Sequence, residues 1–178
     1  MNSIMCDVSI SCMGRSEVIN VKINIRDAVI NDYEELCEIY SELDELHRIN
    51  HPELFVKPEG YTRAKEYISE LINDESKKLL VAEADSGIIG FAECYIVKSS
   101  SFPVVKKREW VQLDSIAVKG EYQNSHIGSL LLEKVIEWSK SKDINRIELK
   151  VYSFNENAGE FYARRGFMEL NKTMYINL

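Results

Sequence analysis

The stretch between residues 109 and 132 limits what this chain can build more than any other. A β-rich run, Glu109–Val118, passes through a polar loop at residues 119–127 into a helix that starts near Gly128. Leu130, Leu131, Val135, Ile136 and Trp138 recur along that helix as its apolar positions. A helix that opens on glycine presents free backbone N–H groups and the positive end of its dipole, a site suited to a pyrophosphate. Ser125 and Ser129 add candidate hydroxyl donors beside it.

The remaining pattern surrounds this step with alternating strands and helices. Val21, Ile23 and Ile25 alternate with Lys22, Asn24 and Arg26 as in a half-buried strand. Asn31 and Asp32 offer an N-cap. Leu36, Ile39, Tyr40, Leu43 and Leu46 then repeat at helical spacing until His51–Pro52 ends the helix. A second amphipathic helix is predicted over 61–73, with Ala64, Tyr67, Ile68, Leu71 and Ile72 on its apolar face. Strands at 79–84 and 88–97 flank the turn Asp85-Ser86-Gly87. A strand at 146–152, a short helix at 157–165 stopped by Gly166, and a final antiparallel strand within 167–178 complete the reading. The order β-α-α-β-β-β-α-β-α-β is an α+β layered architecture. Residues 1–20 are polar and weakly patterned: an extra edge strand, a frayed tail or a misplaced start. Residues 21–178 read as one domain.

Composition narrows the function. The 178 residues are 45% hydrophobic and 29% charged, ordinary for a soluble domain. No run approaches the roughly 20 apolar residues that span a bilayer, and the opening residues show no secretory leader. Cys6, Cys12, Cys37 and Cys94 lack CxxC or other metal-like spacing, which suits reduced thiols in a cytoplasm, and no metal site is expected. Cys37 and Cys94 are expected to pack as small hydrophobes, and His47 and His51 to serve as helix-terminal or packing residues. A net charge of −7 argues against a nucleic-acid binder and is mildly favourable for cationic substrates.

A second motif lies at residues 155–167, NENAGEFYARRGF. Ala158 and Tyr162 share one helix face, so a small residue leaves room for a ligand beneath a phenol. About thirty residues separate this motif from the loop Gln123-Asn124-Ser125-His126-Ile127-Gly128. Together they resemble the GNAT superfamily of N-acetyltransferases. Its cofactor loop reads Q/R-x-x-G-x-G/A, and its later motif N-x-x-A-x-x-x-Y-x-x-x-G-F is met by Asn155, Ala158, Tyr162, Gly166 and Phe167. His126 departs from the pattern's glycine. Histidine tolerates positive φ better than most residues, and its ring can itself meet a phosphate.

The resemblance implies a GNAT fold: a mixed, mostly antiparallel sheet with helices on both faces and a splayed central strand pair. It implies acetyl-CoA as co-substrate, without a metal, and direct attack by a primary amine in a ternary complex. Gln123 to Ser129 would cradle the pyrophosphate. Ile116, Ala117 and Val118, beside a local bulge, would bind the pantetheine arm and present an oxyanion donor. Asn155 and Ala158 would face the cofactor, and Tyr162 would protonate the leaving thiolate. Asp114 and Glu93 are the candidate bases, while Arg164 and Arg165 lie within range of a ribose phosphate or solvent. The acceptor, a small-molecule or peptidyl amine, would meet residues 33–59 and 97–109. A homodimer is plausible for the family, and a non-catalytic acyl-CoA-binding protein of this fold is the alternative. A nucleotide-binding module is disfavoured, because neither GxGxxG nor GxxxxGK[ST] occurs.

Overall fold

The computed structural model describes the backbone of residues 4–11 and 18–178 and the side chains of residues 22–178. Alternation of buried and exposed residues produces the first long strand: Ile23 and Ile25 are buried while Lys22 and Asp27 face water. The elements are β1 (Ile4–Ser11), β2 (Val18–Asp27), α1 (Tyr33–Asn50), α2 (Lys65–Asn73), β3 (Lys77–Ala84), β4 (Gly87–Lys98), β5 (Glu109–Val118), α3 (Ile127–Ser141), β6 (Ile147–Leu149) and α4 (Glu156–Ala163). The described strands form one open sheet in the order β1-β2-β3-β4-β5-β6. Neighbours pair antiparallel from β1 to β5, and β6 joins β5 in parallel.

The sheet carries a core on each face. On one side, Ile25, Leu80, Ala92, Cys94, Val111 and Leu113 meet Leu131, Val135 and Tyr162 from α3 and α4. On the other, Leu79, Val81 and Phe91 meet Leu36, Ile39 and Tyr40 of α1 and Ile68 and Leu71 of α2. Phe91 and Tyr40 are fully buried with ring centroids 4.2 Å apart, and each such burial is worth roughly 1.5–3 kcal/mol. Cys37 and Cys94 are buried free thiols, and burial pushes Cys94 up to about 12.

One irregularity organises the centre. Glu93 pairs with Ser115 and Cys94 with Leu113, so Asp114 is an extra residue in β5. An extra residue reverses the facing of everything beyond it. Val111 and Leu113 face the α3 side before the bulge, and Ile116 and Val118 face it afterwards. Pairing between β5 and β6 covers only Val111–Leu113 and Ile147–Leu149. The two parallel strands therefore part at the bulge. At the far end of this region β4 and β5 approach tightly: a Cβ on Gly90 would lie 2.8 Å from the Ala117 carbonyl.

Several expectations change. The bulge lies at Asp114, ahead of the expected Ile116–Val118 stretch. Helix α2 begins at Lys65 rather than residue 61. The strand expected over 146–152 stops at Leu149, because the chain beyond it leaves β5 to pack Tyr152 and Phe154 against His47, His51 and Phe55 at the end of α1. No strand forms in 167–178, so the expected closing strand is absent. Met168, Leu170, Met174 and Ile176 have strand-like apolar content but stand exposed, and a strand needs a paired edge as well as a pattern. Asp32 sits at the N-cap of α1, yet its carboxylate turns away from the helix to Arg26 and the Val29 N–H. Of the readings open for residues 1–20, an edge strand is present in β1; Cys12 lies outside the described residues.

Candidate active site

The loop between β5 and α3 is shaped by two left-handed residues, Asn124 at φ 62° and His126 at φ 68°. Alternation of left-handed with ordinary backbone turns successive N–H groups toward one concave side, an arrangement that suits an anion. The N–H groups of Asn124, Ser125, His126, Ile127 and Gly128 donate to no group among the described residues, whereas Ser129 and Leu130 already bond the His126 carbonyl. A Cβ on Gly128 would touch only the Phe161 ring at 3.6 Å, so the fold itself has room there. The exposed His126 takes the conformation that the family pattern assigns to glycine.

The side chains of this loop are more committed than the sequence implied. Gln123 donates to the Val118 carbonyl at 3.2 Å and bridges the loop. Ser125 is buried and donates to the Tyr122 carbonyl, which removes its hydroxyl proton from service to a phosphate. Ser129 accepts from the Arg165 guanidinium, which stacks 3.7 Å from the Phe161 ring centroid. Arg165 thus stands at the start of α3, while Arg164 pairs with Glu160.

The later motif is largely a pair of helix caps. Asn155 Oδ1 accepts the Ala158 N–H at 3.1 Å, an N-cap bond at the start of α4. At the other end Gly166 has φ 85°, its N–H bonds the Ala163 carbonyl, and the Phe167 N–H bonds the Tyr162 carbonyl. These are the two bonds of a Schellman motif, and the Tyr162 and Phe167 rings supply its hydrophobic contact at 5.4 Å. Ala158 packs against the α3-side core. Tyr162 is only 8% exposed, and burial raises its phenol above the ordinary range, so it stays protonated at neutral pH.

The opposite face of the sheet holds a different kind of site. Glu93, in the otherwise apolar run of β4, points into the α1–α2 layer and is 2% exposed. Tyr40 of α1 donates to its Oε2 at 2.6 Å, and Tyr67 of α2 donates to its Oε1. Burial raises the Glu93 carboxyl above the usual range, the two hydroxyls oppose the shift, and neighbouring Asp114 reinforces it. Arg63, just ahead of α2, lies 4.4 Å over the Tyr40 ring and pairs with Asp44 at 3.0 Å. Glu38 reaches Lys119, and Glu42 accepts the Gly120 N–H, so α1 leans over the end of β5. The bulge brings the two candidate bases together: Asp114 stands exposed beside the Glu93–Ser115 pair.

Ile116, Ala117 and Val118 follow the bulge where β5 has parted from β6. Tyr162 belongs to the α3-side core and Glu93 to the α1 side, with the parted strands between them. Tyr40, Arg63 and Tyr67 escaped the sequence reading, which saw Tyr40 and Tyr67 only as apolar helix positions. The available signal was Glu93 itself, since one acid in a buried strand requires partners. Among the described residues no three His, Cys, Asp or Glu side chains group as a metal site, and no helix is long and apolar enough to cross a membrane.

The sheet is mixed and opens between two parallel strands, with a helix start rich in free amides at the opening. The chain belongs to the acetyltransferase (GNAT) family, whose model matches residues 35–167. It is 31% identical over 106 residues to an uncharacterized N-acetyltransferase of Methanocaldococcus jannaschii, covering 60% of this chain but only 46% of that relative's length. A spermidine N(1)-acetyltransferase of Thermoplasma acidophilum is 28% identical over 155 residues, 83% of this chain and 89% of that protein. The solved structure of a tetramutant protein from Bacillus halodurans superposes with a TM-score of 0.81 at 26% identity, covering 86% of this chain and 99% of that one.

Proposed function

We propose that residues 21–178 form an acetyl-CoA-dependent N-acetyltransferase domain that moves an acetyl group to a primary amine by direct attack in a ternary complex. The observation that carries this reading is the parting of β5 from β6 at the Asp114 bulge, beside the free N–H groups of Asn124 to Gly128. Those donors and the positive helix end fit a pyrophosphate without a basic side chain. Coenzyme A, when bound, supplies the acetyl group as an activated thioester. The N–H groups of the loop would hold its phosphates, with Arg165 near the same helix start. The Ile116–Val118 edge, past the end of pairing with β6, would hold the pantetheine arm and offer a backbone donor to the thioester carbonyl.

Proton movements are divided between the two faces. The acceptor ammonium loses one proton on the Glu93 side, and its lone pair attacks the thioester carbon. When the C–S bond breaks, the Tyr162 hydroxyl protonates the sulfur. The surplus proton of the newly bonded nitrogen restores the Tyr162 phenol. Exposed Asp114, beside Glu93 and outside the Asp44–Arg63 pair, favours a cationic acceptor. The spermidine acetyltransferase relative supports an amine of that kind.

Calorimetric titration with acetyl-CoA, followed by CoA release with a panel of primary amines, tests the reading. Saturable one-site binding and amine-dependent release are expected; no binding at millimolar acetyl-CoA would remove the assignment. Tyr162→Phe should lower turnover while leaving acetyl-CoA affinity nearly intact, and unchanged turnover would exclude Tyr162 as the acid.

A further inference from the structure

Glu93 cannot touch an acceptor directly. Its side chain is 2% exposed, and each carboxylate oxygen is already covered by a tyrosine hydroxyl. The two tyrosines differ in reach. Tyr40 is fully buried beneath Arg63 and against Phe91, whereas Tyr67 remains 37% exposed. Of the two tyrosines on Glu93, Tyr67 is thus the one whose side chain reaches solvent. We infer that Tyr67 is the group that meets the acceptor ammonium and passes its proton inward to Glu93, an assignment that rests on the acetyl-transfer reading.

The exchange balances within three groups. One ammonium N–H bond breaks and its proton joins the phenolic oxygen of Tyr67. In the same movement the original Tyr67 O–H proton passes to Glu93 Oε1. The phenol is regenerated, Glu93 becomes a neutral acid, and the nitrogen gains the lone pair needed for attack. The Tyr67 phenol never has to become a free phenolate, a state that burial and the adjacent Glu93 disfavour. Glu93 later returns the proton to solvent by the reverse path.

The surrounding charges suit this task. Glu93 is faced by Tyr40 of α1, Tyr67 of α2, Arg63 ahead of α2, Asp114 of β5 and, at longer range, Lys77 of β3; Cys94 and Tyr95 adjoin it on β4. Arg63 pairs with Asp44 and acts on Glu93 only through space, where its charge partly offsets the upward shift. Burial raises the Glu93 carboxyl above the usual range, so it takes up a proton more readily than an exposed glutamate. Exposed Asp114 draws the cation toward Tyr67 from the bulge.

Tyr67→Phe tests the relay while leaving the ring in place. Turnover is measured across pH with a primary alkylamine and with methoxyamine, which carries no ammonium proton at neutral pH. The expected result is a fall of about 100-fold in the plateau kcat for the alkylamine, unchanged acetyl-CoA affinity, and little loss with methoxyamine. A purely supporting hydroxyl would move only the acid limb of the profile and leave the plateau alone. A plateau within twofold of wild type, or an equal loss with both acceptors, would overturn the relay. So would Asp114→Asn abolishing the plateau that Tyr67→Phe retains. Wild-type protein that binds acetyl-CoA but acetylates no amine would remove the acetyl-transfer reading itself, and the relay with it.

Discussion

Asp32 and Glu93 are both buried carboxylates on the α1 side of the sheet, and the protein neutralises them in opposite ways. At the corner between β2 and α1, Asp32 takes a two-pronged ion pair from Arg26 at 2.8 and 2.9 Å and the Val29 N–H at 2.8 Å. Arg26 also binds Glu83 on β3. Burial opposes ionisation of Asp32, but the guanidinium and the N–H outweigh it and hold the carboxyl below its ordinary value. Among the described residues the direct side-chain partners of Glu93 are two phenols, and its shift runs upward. A carboxylate locked to arginine stays charged and fastens elements together. One held by neutral hydroxyls can gain and lose a proton, which is what a base requires.

Arg26→Met should break the first half of this contrast most strongly. It strands Asp32 and Glu83, and the unfolding free energy should fall by about 3 kcal/mol, the low end for a broken buried pair because Arg26 is partly exposed. Acetyl-transfer activity per folded molecule should survive. Lost activity at undiminished stability, read by denaturant titration, would erase the distinction between the two sites.

Glu93→Gln should do the reverse. We expect alkylamine turnover to fall by about 100-fold, with stability at neutral pH maintained. The pH dependence sharpens the comparison through its sign. Asp32 has a lowered carboxyl, so its stabilisation is present above the ordinary aspartate range and is lost as pH falls through its folded value. Glu93 has a raised carboxyl, so native protein retains a proton that the unfolded chain releases, and stability declines as pH rises from about 4.3 through the folded value. The stability of Glu93→Gln relative to wild type should therefore increase with pH over that window. The deficit of Arg26→Met should shrink toward acid. Matching slopes in both variants would contradict the assignment.

The smallest expected effect belongs to Asp114→Asn. Removing this exposed negative charge lowers the Glu93 carboxyl, so the acid limb of the rate profile should move down by a fraction of a pH unit, with a higher KM for a cationic amine. Unfolding stability at the Asp32 corner should not change. An upward shift of the limb would show that Asp114 does not act on Glu93 through its charge.

What the sequence determined by itself was mostly local. The alternation of Ile23 and Ile25, the helical stripe through Leu36, Ile39 and Tyr40, and the residue types at Asn155, Gly166 and Phe167 act over a few positions, where backbone geometry dictates which groups meet. The loop at 123–128 was legible for the same reason, including a histidine placed where positive φ is needed. The partners of Glu93 were not, because Tyr40 and Tyr67 stand 53 and 26 residues away and share no periodicity with it. Nor was the end of β6, since a strand persists only while its neighbour stays alongside, and the bulge at Asp114 ends that contact. The closing residues 167–178 teach the same point: their apolar content is encoded in the chain, but pairing requires an edge that only the assembled sheet can offer. Local conformation follows from steric and capping rules within a turn or two; the cluster proposed to handle protons follows from which distant side chains the sheet and helices bring to one buried carboxylate.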